Sequence, residues 1–295
     1  MSIAVIGAGK WGQALRFAFS QKQNCLITSP HTKPLKDFVS YEEALRCDYL
    51  VFALSAQGIN AWLKTHFKNK GQKILLASKG IDTASSRFLD EIFLDFVKPQ
   101  NFCVLSGPSF AAEVMQKLPC ALVVSGYDAE LCKEFAGFFP EFIKAYTSDD
   151  VRGAEICGAY KNVLAIASGI CDGLKLGNNA RASLIARGLI EMHRFGEKFG
   201  TKEETFLGLS GAGDLFLTAS STLSRNFRAG LLLAQGKNKN AILDELKEVV
   251  EGIDTAFAIQ KLALKHQIYT PIVNEVCQIL EGKEVQMSLK DLLVR

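Results

Sequence analysis

The stretch Ile3-Ala4-Val5-Ile6-Gly7-Ala8-Gly9-Lys10-Trp11-Gly12 predicts a buried strand, a glycine turn and the start of a helix. Its glycines have the spacing G-x-G-x-x-G. In such a turn Gly7 permits the tight bend, Gly9 lets a pyrophosphate approach the backbone, and Gly12 lets the helix pack against the strand. The N–H groups and the positive dipole end of a helix that starts near Lys10 attract phosphate oxygens. We therefore expect a dinucleotide site here, with a plain glycine-rich turn as the alternative.

The composition is that of an ordinary soluble globular protein. The 295 residues suffice for one large domain or two of ordinary size, and 48% of them are hydrophobic while 22% are charged. The net charge of +3 and the lack of a long basic run give no reason to expect nucleic acid as a partner. No apolar run approaches the ~18 residues of a membrane-spanning helix, so we expect no membrane insertion.

Cysteine and histidine spacing predicts neither a metal site nor disulfides. None of the eight cysteines forms C-x-x-C, and the four histidines are scattered along the chain. Most cysteines lie in apolar patterns, as is typical of buried thiols in a reducing compartment. No signal-peptide pattern precedes the first strand, so we expect a cytoplasmic protein.

Short apolar runs alternate with helical patterns up to residue 148. After the first strand, the predicted strands are Cys25–Ser29, Tyr49–Ala53, Lys73–Ala77, Phe102–Leu105, Ala121–Val124 and Phe142–Tyr146. Near-continuous apolar strands between helices indicate a mostly parallel sheet that is covered on both faces. With the glycine turn, this pattern predicts an α/β fold with a doubly wound, Rossmann-type NAD(P)-binding domain over residues 1–148.

The ends of these strands carry the candidate binding residues, because ligands bind beyond the carboxyl ends of a doubly wound sheet. Lys79 follows the fourth strand, and Gly107 with Ser109 follows the fifth. The second strand ends without the acid that would hold the ribose 2′-hydroxyl of NAD. His31 and Lys33 are positioned to lie near a 2′-phosphate, which favours NADPH and leaves NADH open. A merely solvated Lys33 is the alternative.

The alternation stops after residue 148, and residues 149–295 show only helical patterns, which predicts an all-α substrate and catalytic domain. Lys161 is unusual because it lies in a strongly apolar stretch. Burial would lower the pKa of a lysine from ~10.4 and fit it for proton transfer, unless the side chain only covers apolar surface. Asp214 follows three glycines, either directed inward or capping a helix. The segment Ser221-Thr222-Leu223-Ser224-Arg225-Asn226 combines hydroxyls, a guanidinium and an amide, which are donors suited to bind a phosphate or a polyol.

Taken together, these motifs resemble the family of bacterial NAD(P)-dependent glycerol-3-phosphate dehydrogenases, along nearly the whole chain. The stretches that carry the resemblance are Gly7 to Gly12, Ser78-Lys79-Gly80, Gly107 to Ala111 with Glu113-Val114, Lys161-Asn162-Val163, Gly177 to Gly188, Gly208 to Asp214, Ser221 to Asn226 and Val249 to Gly252. One departure concerns cofactor preference, since Ser29-Pro30 precedes His31 where the family often shows a basic residue.

The resemblance implies reduction of dihydroxyacetone phosphate to sn-glycerol 3-phosphate in a cleft between two domains, by NADPH or NADH, for glycerophospholipid synthesis. It makes Lys161 the catalytic acid/base. The implied substrate-binding residues are Lys79, Gly107, Ser109, Asp214, Ser224, Arg225 and Asn226. The implied cofactor-binding residues, beside Gly7, Gly9, Lys10 and Gly12 of the glycine turn, are Trp11, His31, Lys79, Ala111, Arg225, Val249 and Glu251. The class is also compatible with a homodimer.

Two other functions fit part of the sequence. A two-domain dehydrogenase acting on a β-hydroxy acid or on ketopantoate would also place a lysine on a helix of its second domain. The cluster Ser224-Arg225-Asn226 argues against it, because a carboxylate needs a different grip. A non-catalytic NADPH-binding sensor would not need a lysine buried among apolar helices.

Overall fold

The computed structural model describes the backbone of residues 2–294 and the side chains of residues 2–289, 291 and 292. Within that range the chain divides into two compact units. The first comprises the residues up to Lys79 together with Arg87–Glu155, and the second comprises Gly80–Ser86 together with the residues from Ile156 onward. The boundary expected at residue 148 lies earlier than this division, and the roles assigned to the two domains stay predictions.

The first unit is built on a sheet whose strands are almost continuously apolar. The strands of the described chain are β1 (Ile3–Ile6), β2 (Cys25–Thr28), β3 (Tyr49–Phe52), β4 (Lys73–Leu76), β5 (Ile81–Asp82), β6 (Arg87–Phe88), β7 (Phe102–Ser106), β8 (Cys120–Gly126) and β9 (Ile143–Ser148). Within the described residues the main sheet has seven strands in the order β2-β1-β3-β4-β7-β8-β9. All neighbours run parallel except β7 and β8. This confirms the doubly wound, mostly parallel sheet.

Burial on both faces explains why these strands do not alternate between polar and apolar residues. Val5, Val51 and Leu75 lie in the core on one face of the sheet. Their neighbours Leu50 and Ile74 lie in the core on the other face. Because successive side chains of a strand point to opposite faces, a sheet covered on both sides needs apolar residues at every position.

The helices of the described chain cover this sheet and then form the second unit. They are α1 (Lys10–Phe19), α2 (Tyr41–Ala44), α3 (Ala56–His66), α4 (Leu89–Leu94), α5 (Ala111–Met115), α6 (Ala129–Gly137), α7 (Val151–Gly173), α8 (Gly177–Glu197), α9 (Glu203–Leu207), α10 (Asp214–Ala219), α11 (Arg225–Ala234), α12 (Lys239–Leu246), α13 (Glu251–His266), α14 (Pro271–Leu280) and α15 (Val285–Val294). A π-helical turn, Leu209–Gly213, leads into α10. The predicted helical second half is confirmed.

Helix α7 is the most deeply buried of these elements. Its residues from 153 to 171 are buried without interruption. A Cβ at Gly169 would lie 2.1 Å from the Phe227 carbonyl oxygen, so α7 and α11 cross with their backbones in contact. A lysine in the middle of α7 is therefore surrounded by packed helices. Over residues 2–294, we find no helix that is both long and apolar enough to traverse a membrane.

Candidate active site

The glycine turn after β1 is tightly enclosed at two of its three glycines. Gly7 has φ +118°, and a Cβ there would lie 2.4 Å from the carbonyl oxygen of Ala53, which follows β3. A Cβ at Gly12 would lie 1.8 Å from the carbonyl oxygen of Gly7. Only glycine fits at either position, because the backbone of the turn packs directly against its neighbours.

Gly9 differs from these two glycines because there is open space beside it. It caps the N-terminus of α1, and among the described residues beyond its own chain neighbours no heavy atom lies within 4 Å of the position its Cβ would occupy. The first N–H groups of a helix have no acceptor within the helix, and the dipole favours an anion there. The turn therefore fits the pyrophosphate of a dinucleotide, which needs donors and space for close approach.

Two side chains of this turn region have contrasting environments. Lys10 is exposed at the first position of α1. Trp11 is half-buried, and its Nε1 donates a hydrogen bond of 3.2 Å to the carbonyl oxygen of Ala77, just beyond β4. Lys79 follows two residues later and is also half-buried. The structure therefore brings Trp11 to the strand end that carries Lys79.

The loop after β7 adds the other residues predicted at this edge of the sheet. Gly107 has φ +106°, and the Ser109 hydroxyl donates a bond of 3.2 Å to its carbonyl oxygen. Ala111 is the first residue of α5. Since β4 and β7 are parallel neighbours, the loops with Lys79 and Gly107 leave the sheet side by side.

The segment after β2 approaches the glycine turn through one lysine. Lys33 Nζ donates a bond of 2.7 Å to the carbonyl oxygen of Ala8, between Gly7 and Gly9. The side chain of His31, which was also predicted to contact the cofactor, is exposed to solvent. The contact of Lys33 with the turn was not visible in the sequence, which showed only its place after the strand.

In the second unit Lys161 is buried and paired with an acid. Its residue is 7% exposed, and its Nζ lies 2.5 Å from Asp214 Oδ1 and 2.8 Å from Thr218 Oγ1. Asp214 is 1% exposed and is the first residue of α10, whose N-cap is Gly213. The Asp214 side chain is thus directed inward to the lysine and does not cap the helix. A buried ion pair of this kind fixes the position of both charges.

Thr218 is a site residue that we did not predict. Its hydroxyl lies 2.8 Å from Lys161 Nζ and 3.3 Å from Asp214 Oδ1. The signal was its place one helical turn after Asp214, because side chains four residues apart share one face of a helix. This signal is useful only if the first residue of α10 is known. The glycine-rich sequence before Asp214 hides where the helix begins.

The predicted phosphate grip lies at the N-terminus of α11. Ser224 caps this helix, since its Oγ accepts a bond of 3.2 Å from Phe227 N. Arg225 follows with an exposed side chain, whereas Asn226 is 8% exposed. Asn226 Oδ1 accepts a bond of 2.9 Å from Gly252 N. This bond ties the start of α11 to the start of α13.

Two residues that were predicted to bind the cofactor lie next to Gly252, which donates the hydrogen bond to Asn226. Glu251 is the first residue of α13 and is half-buried, whereas Val249 is 55% exposed. A Cβ at Gly252 would lie 2.7 Å from both the Asn162 carbonyl oxygen and Asn226 Oδ1. The second unit therefore brings together Lys161 with Asp214, and Asn226 with the segment that contains Val249 and Glu251.

Comparison with known proteins finds the same family in both halves of the chain. The model of the NAD-dependent glycerol-3-phosphate dehydrogenase N-terminus matches residues 28–132, and the model of its C-terminus matches residues 150–290. The chain is 71% identical over 293 residues to an NAD(P)+ glycerol-3-phosphate dehydrogenase of Campylobacter jejuni, with 99% of each chain covered. It is 59% identical over 295 residues to that of a Nitratiruptor species, covering 100% of this chain and 99% of the relative.

Solved structures support the same relationship. The crystal structure of glycerol-3-phosphate dehydrogenase from Coxiella burnetii superposes with a TM-score of 0.91 at 33% identity, covering 100% of this chain and 99% of that one. A 2-dehydropantoate 2-reductase from Geobacter metallireducens reaches a TM-score of 0.62 at 14% identity, covering 95% and 99%, and shares the fold alone. Motifs, fold and full-length similarity thus lead to one conclusion: the chain belongs to the NAD-dependent glycerol-3-phosphate dehydrogenase family.

Proposed function

We propose that this chain reduces dihydroxyacetone phosphate to sn-glycerol 3-phosphate with NADPH or NADH, and so supplies glycerol phosphate for glycerophospholipid synthesis. The observation that carries the proposal is the ammonium of Lys161, buried in α7 and bonded at 2.5 Å to Asp214. Burying a cation is costly, and carbonyl reduction creates a negative oxygen that needs one. The identity of the proposed substrate follows from membership of the glycerol-3-phosphate dehydrogenase family.

Lys161 stabilises and then protonates the oxygen of the ketone in this mechanism. A nicotinamide cofactor, when bound, supplies the hydride. As the carbonyl carbon is reduced its oxygen gains negative charge, and the Lys161 ammonium neutralises that charge and donates the proton. Asp214 and Thr218 hold Nζ in place, since both lie within hydrogen-bond distance of it.

The start of α11 binds the substrate phosphate. Arg225 contributes a guanidinium, which forks onto phosphate oxygens, and the helix N-terminus favours the anion. Asn226 directs its amide N–H2 group to the substrate, because its Oδ1 accepts from Gly252 N. Ser224 donates its hydroxyl hydrogen, since the oxygen already accepts from Phe227 N.

The remaining predicted residues complete the two sites. Lys79, Gly107 and Ser109 contribute a cation, a backbone amide and a hydroxyl to the substrate. Cofactor binding rests mainly on the first domain, and catalysis with most of the substrate binding rests on the second. The cofactor is bound by Gly7, Gly9, Lys10, Trp11, Gly12, His31, Lys79, Ala111, Arg225, Val249 and Glu251. The open side of Gly9 and the start of α1 support the pyrophosphate position.

Substrate discrimination tests the proposal. The fall in reduced-nicotinamide absorbance would be followed with dihydroxyacetone phosphate, with unphosphorylated dihydroxyacetone and with ketopantoate. We expect kcat/KM for the phosphorylated ketone to exceed the others by at least about a hundredfold, because charged hydrogen bonds to the phosphate are lost without it. Preference for ketopantoate would assign the chain to another dehydrogenase class. Cofactor binding without turnover of any of these ketones would favour the sensor.

A cytoplasmic location and a homodimer are part of the same proposal. All eight cysteines carry free thiols, and burial raises the pKa of Cys25 and Cys277 to about 12. Such inert thiols fit a reducing compartment. The homodimer rests on the resemblance, and light scattering of the purified chain would test it.

A further inference from the structure

Two buried thiols of the first unit are in contact on one face of the main sheet. The Sγ atoms of Cys103, in β7, and Cys132, in α6, lie 3.7 Å apart. The two residues are 0% and 1% exposed and belong to the same core cluster. A disulfide would bring the two sulfurs to about 2.05 Å, so this is a reduced pair whose sulfurs already touch.

The backbone opposite Cys103 leaves the room that this contact needs. Gly126, in β8, is the register partner of Cys103 in the antiparallel pairing of β7 with β8. A Cβ at Gly126 would lie 2.5 Å from Cys103 Sγ and 2.7 Å from Cys132 Sγ. The φ of Gly126 lies outside the left-handed region, so the backbone conformation does not require glycine. The space occupied by the two sulfurs does require it.

The two thiols differ in how readily they ionise. A hydrogen bond from the Cys103 thiol lowers the pKa of Cys132, whereas that bond and burial raise the pKa of Cys103. Burial also raises the pKa of Cys25 and Cys277. The thiolate is the form of cysteine that reacts with oxidants. Cys132 is therefore the nucleophile of the pair, and Cys103 is the thiol placed to react with it next.

We propose that Cys103 and Cys132 form a reversible disulfide when the chain meets hydrogen peroxide. The Cys132 thiolate attacks the peroxide, so that an S–O bond forms, the O–O bond breaks, and the released hydroxide takes up a proton to become water. The Cys103 sulfur then attacks the sulfur of this sulfenic acid. The S–S bond forms, the S–O bond breaks, and the Cys103 proton leaves with the oxygen as a second water.

The electron balance shows what the pair achieves. The two thiols lose two electrons, and these reduce one peroxide to two waters. Because Cys103 touches Cys132, formation of the disulfide competes with further oxidation of the sulfenic acid to sulfinic acid, which is irreversible for most proteins. Thiol reductants restore a disulfide, so the pair protects Cys132 from permanent damage. This chemistry is independent of the proposed ketone and cofactor.

Access to the buried pair comes from local opening of α6. This helix has nine residues and packs on β8 and β9, and β9 is the last strand in the order of the main sheet. Short outer elements open more readily than the central strands of a sheet. Hydrogen peroxide is a small molecule, so a brief opening of the helix suffices.

Thiol counting and peptide mapping test the proposal on the intact chain. All eight cysteines are free thiols, so titration after denaturation should find eight before treatment with hydrogen peroxide and six after it. Dithiothreitol should restore all eight. A digest of the oxidised chain should contain one disulfide-linked pair of peptides, which carry Cys103 and Cys132. The matched control is Cys277→Ser, which changes another buried thiol and should form the same link.

Two variants separate this chemistry from general oxidation, and urea unfolding checks that each is folded. Cys103→Ser keeps a donor beside Cys132 but cannot form the disulfide, so Cys132 should gain two oxygen atoms as sulfinic acid. Cys132→Ser removes the nucleophile, and the rate at which Cys103 is oxidised should fall at least about tenfold. Eight intact thiols after the treatment, a link between other cysteines, or oxidation of Cys103 at the wild-type rate in Cys132→Ser would contradict the proposal.

Discussion

At the scale of single residues, the pairing of Lys161 with Asp214 gives the lysine a structural role besides the catalytic role that we propose. The two side chains are 9% and 1% exposed, so neither charge is solvated. Removing one partner of a buried ion pair typically costs about 3–5 kcal/mol, because the other charge is left uncompensated. Lys161→Ala alone would therefore confuse loss of stability with loss of chemistry. A variant that removes both charges avoids the problem.

A second buried acid gives a prediction about pH. Both carboxyl oxygens of Glu155 accept from Asp90 N, at 3.1 and 3.2 Å. Burial and then the negative charge of Asp90 raise the pKa of Glu155 well above its ordinary value of 4.5. Its stabilising contribution is therefore present below pH 4.5 and is lost as the pH rises through the raised pKa of the folded state.

Replacing this acid by its neutral isostere should remove that part of the pH dependence. We expect Glu155→Gln to become more stable relative to the wild type as the pH is raised from about 5 to about 8. Urea unfolding at several pH values measures the difference, and Glu141→Gln, at an exposed position, is the control. A difference in unfolding free energy that does not change with pH would contradict the assignment.

Residue types and local context allowed Lys161, Asp214 and Ser224-Arg225-Asn226 to be predicted separately. The contacts that these side chains make could not be predicted from the sequence. Lys161 and Asp214 are 53 positions apart, and no pattern in the intervening sequence sets the distance between their side chains. Likewise, the chemistry of Lys33 was evident but its bond to Ala8 was not, because irregular segments have no periodicity that places a side chain.

At the scale of elements, the crossing of α7 and α11 depends on two glycines. A Cβ at Gly169 would lie 2.1 Å from the Phe227 carbonyl oxygen, and one at Gly230 would lie 2.1 Å from that of Ile166. Backbone atoms cannot move aside as a side chain can. We expect Gly169→Ala to lower the free energy of unfolding by about 1–3 kcal/mol or more, through forced separation of the helices.

The matched control is Gly58→Ala, which lies within α3. Within the described part of the chain, no heavy atom apart from its chain neighbours and the backbone of α3 lies within 4 Å of the position of its Cβ. We expect this change to stabilise the chain by about 0.5–1 kcal/mol, because alanine is the better helix former. Urea unfolding compares the two variants. A Gly169→Ala chain as stable as the wild type would show that the helices do not cross so closely.

Element boundaries were predicted best where burial is complete. The strand predicted at Tyr49–Ala53 is Tyr49–Phe52, the one predicted at Phe102–Leu105 is Phe102–Ser106, and every residue of both strands is buried. The strand predicted at Phe142–Tyr146 is Ile143–Ser148, in which only Ile143 is buried. In contrast, β5 and β6 were not predicted. Each has two residues, which is too short for any alternation to appear.

At the scale of the whole molecule, the strand order agrees with the cofactor position that we propose at the glycine turn. The chain leaves β1 toward β2 on one side and continues with β3 on the other. Ligands bind at such a reversal, beyond the carboxyl ends of the strands. The sequence predicted this parallel part of the sheet. It could not show that β8 runs antiparallel to β7, because a buried apolar run reads the same in either direction.

The most direct test of the central claim removes both charges of the buried pair and measures reduction of dihydroxyacetone phosphate by NADPH. The double variant Lys161→Met with Asp214→Asn keeps the volume of the site, and urea unfolding reports whether the second unit, which contains both residues, is folded. We expect rapid turnover by the wild type, and a variant that unfolds as cooperatively as the wild type but loses about 10²–10⁴-fold in kcat. A folded double variant whose kcat stays within about tenfold of the wild type would contradict the role of Lys161 as the proton donor.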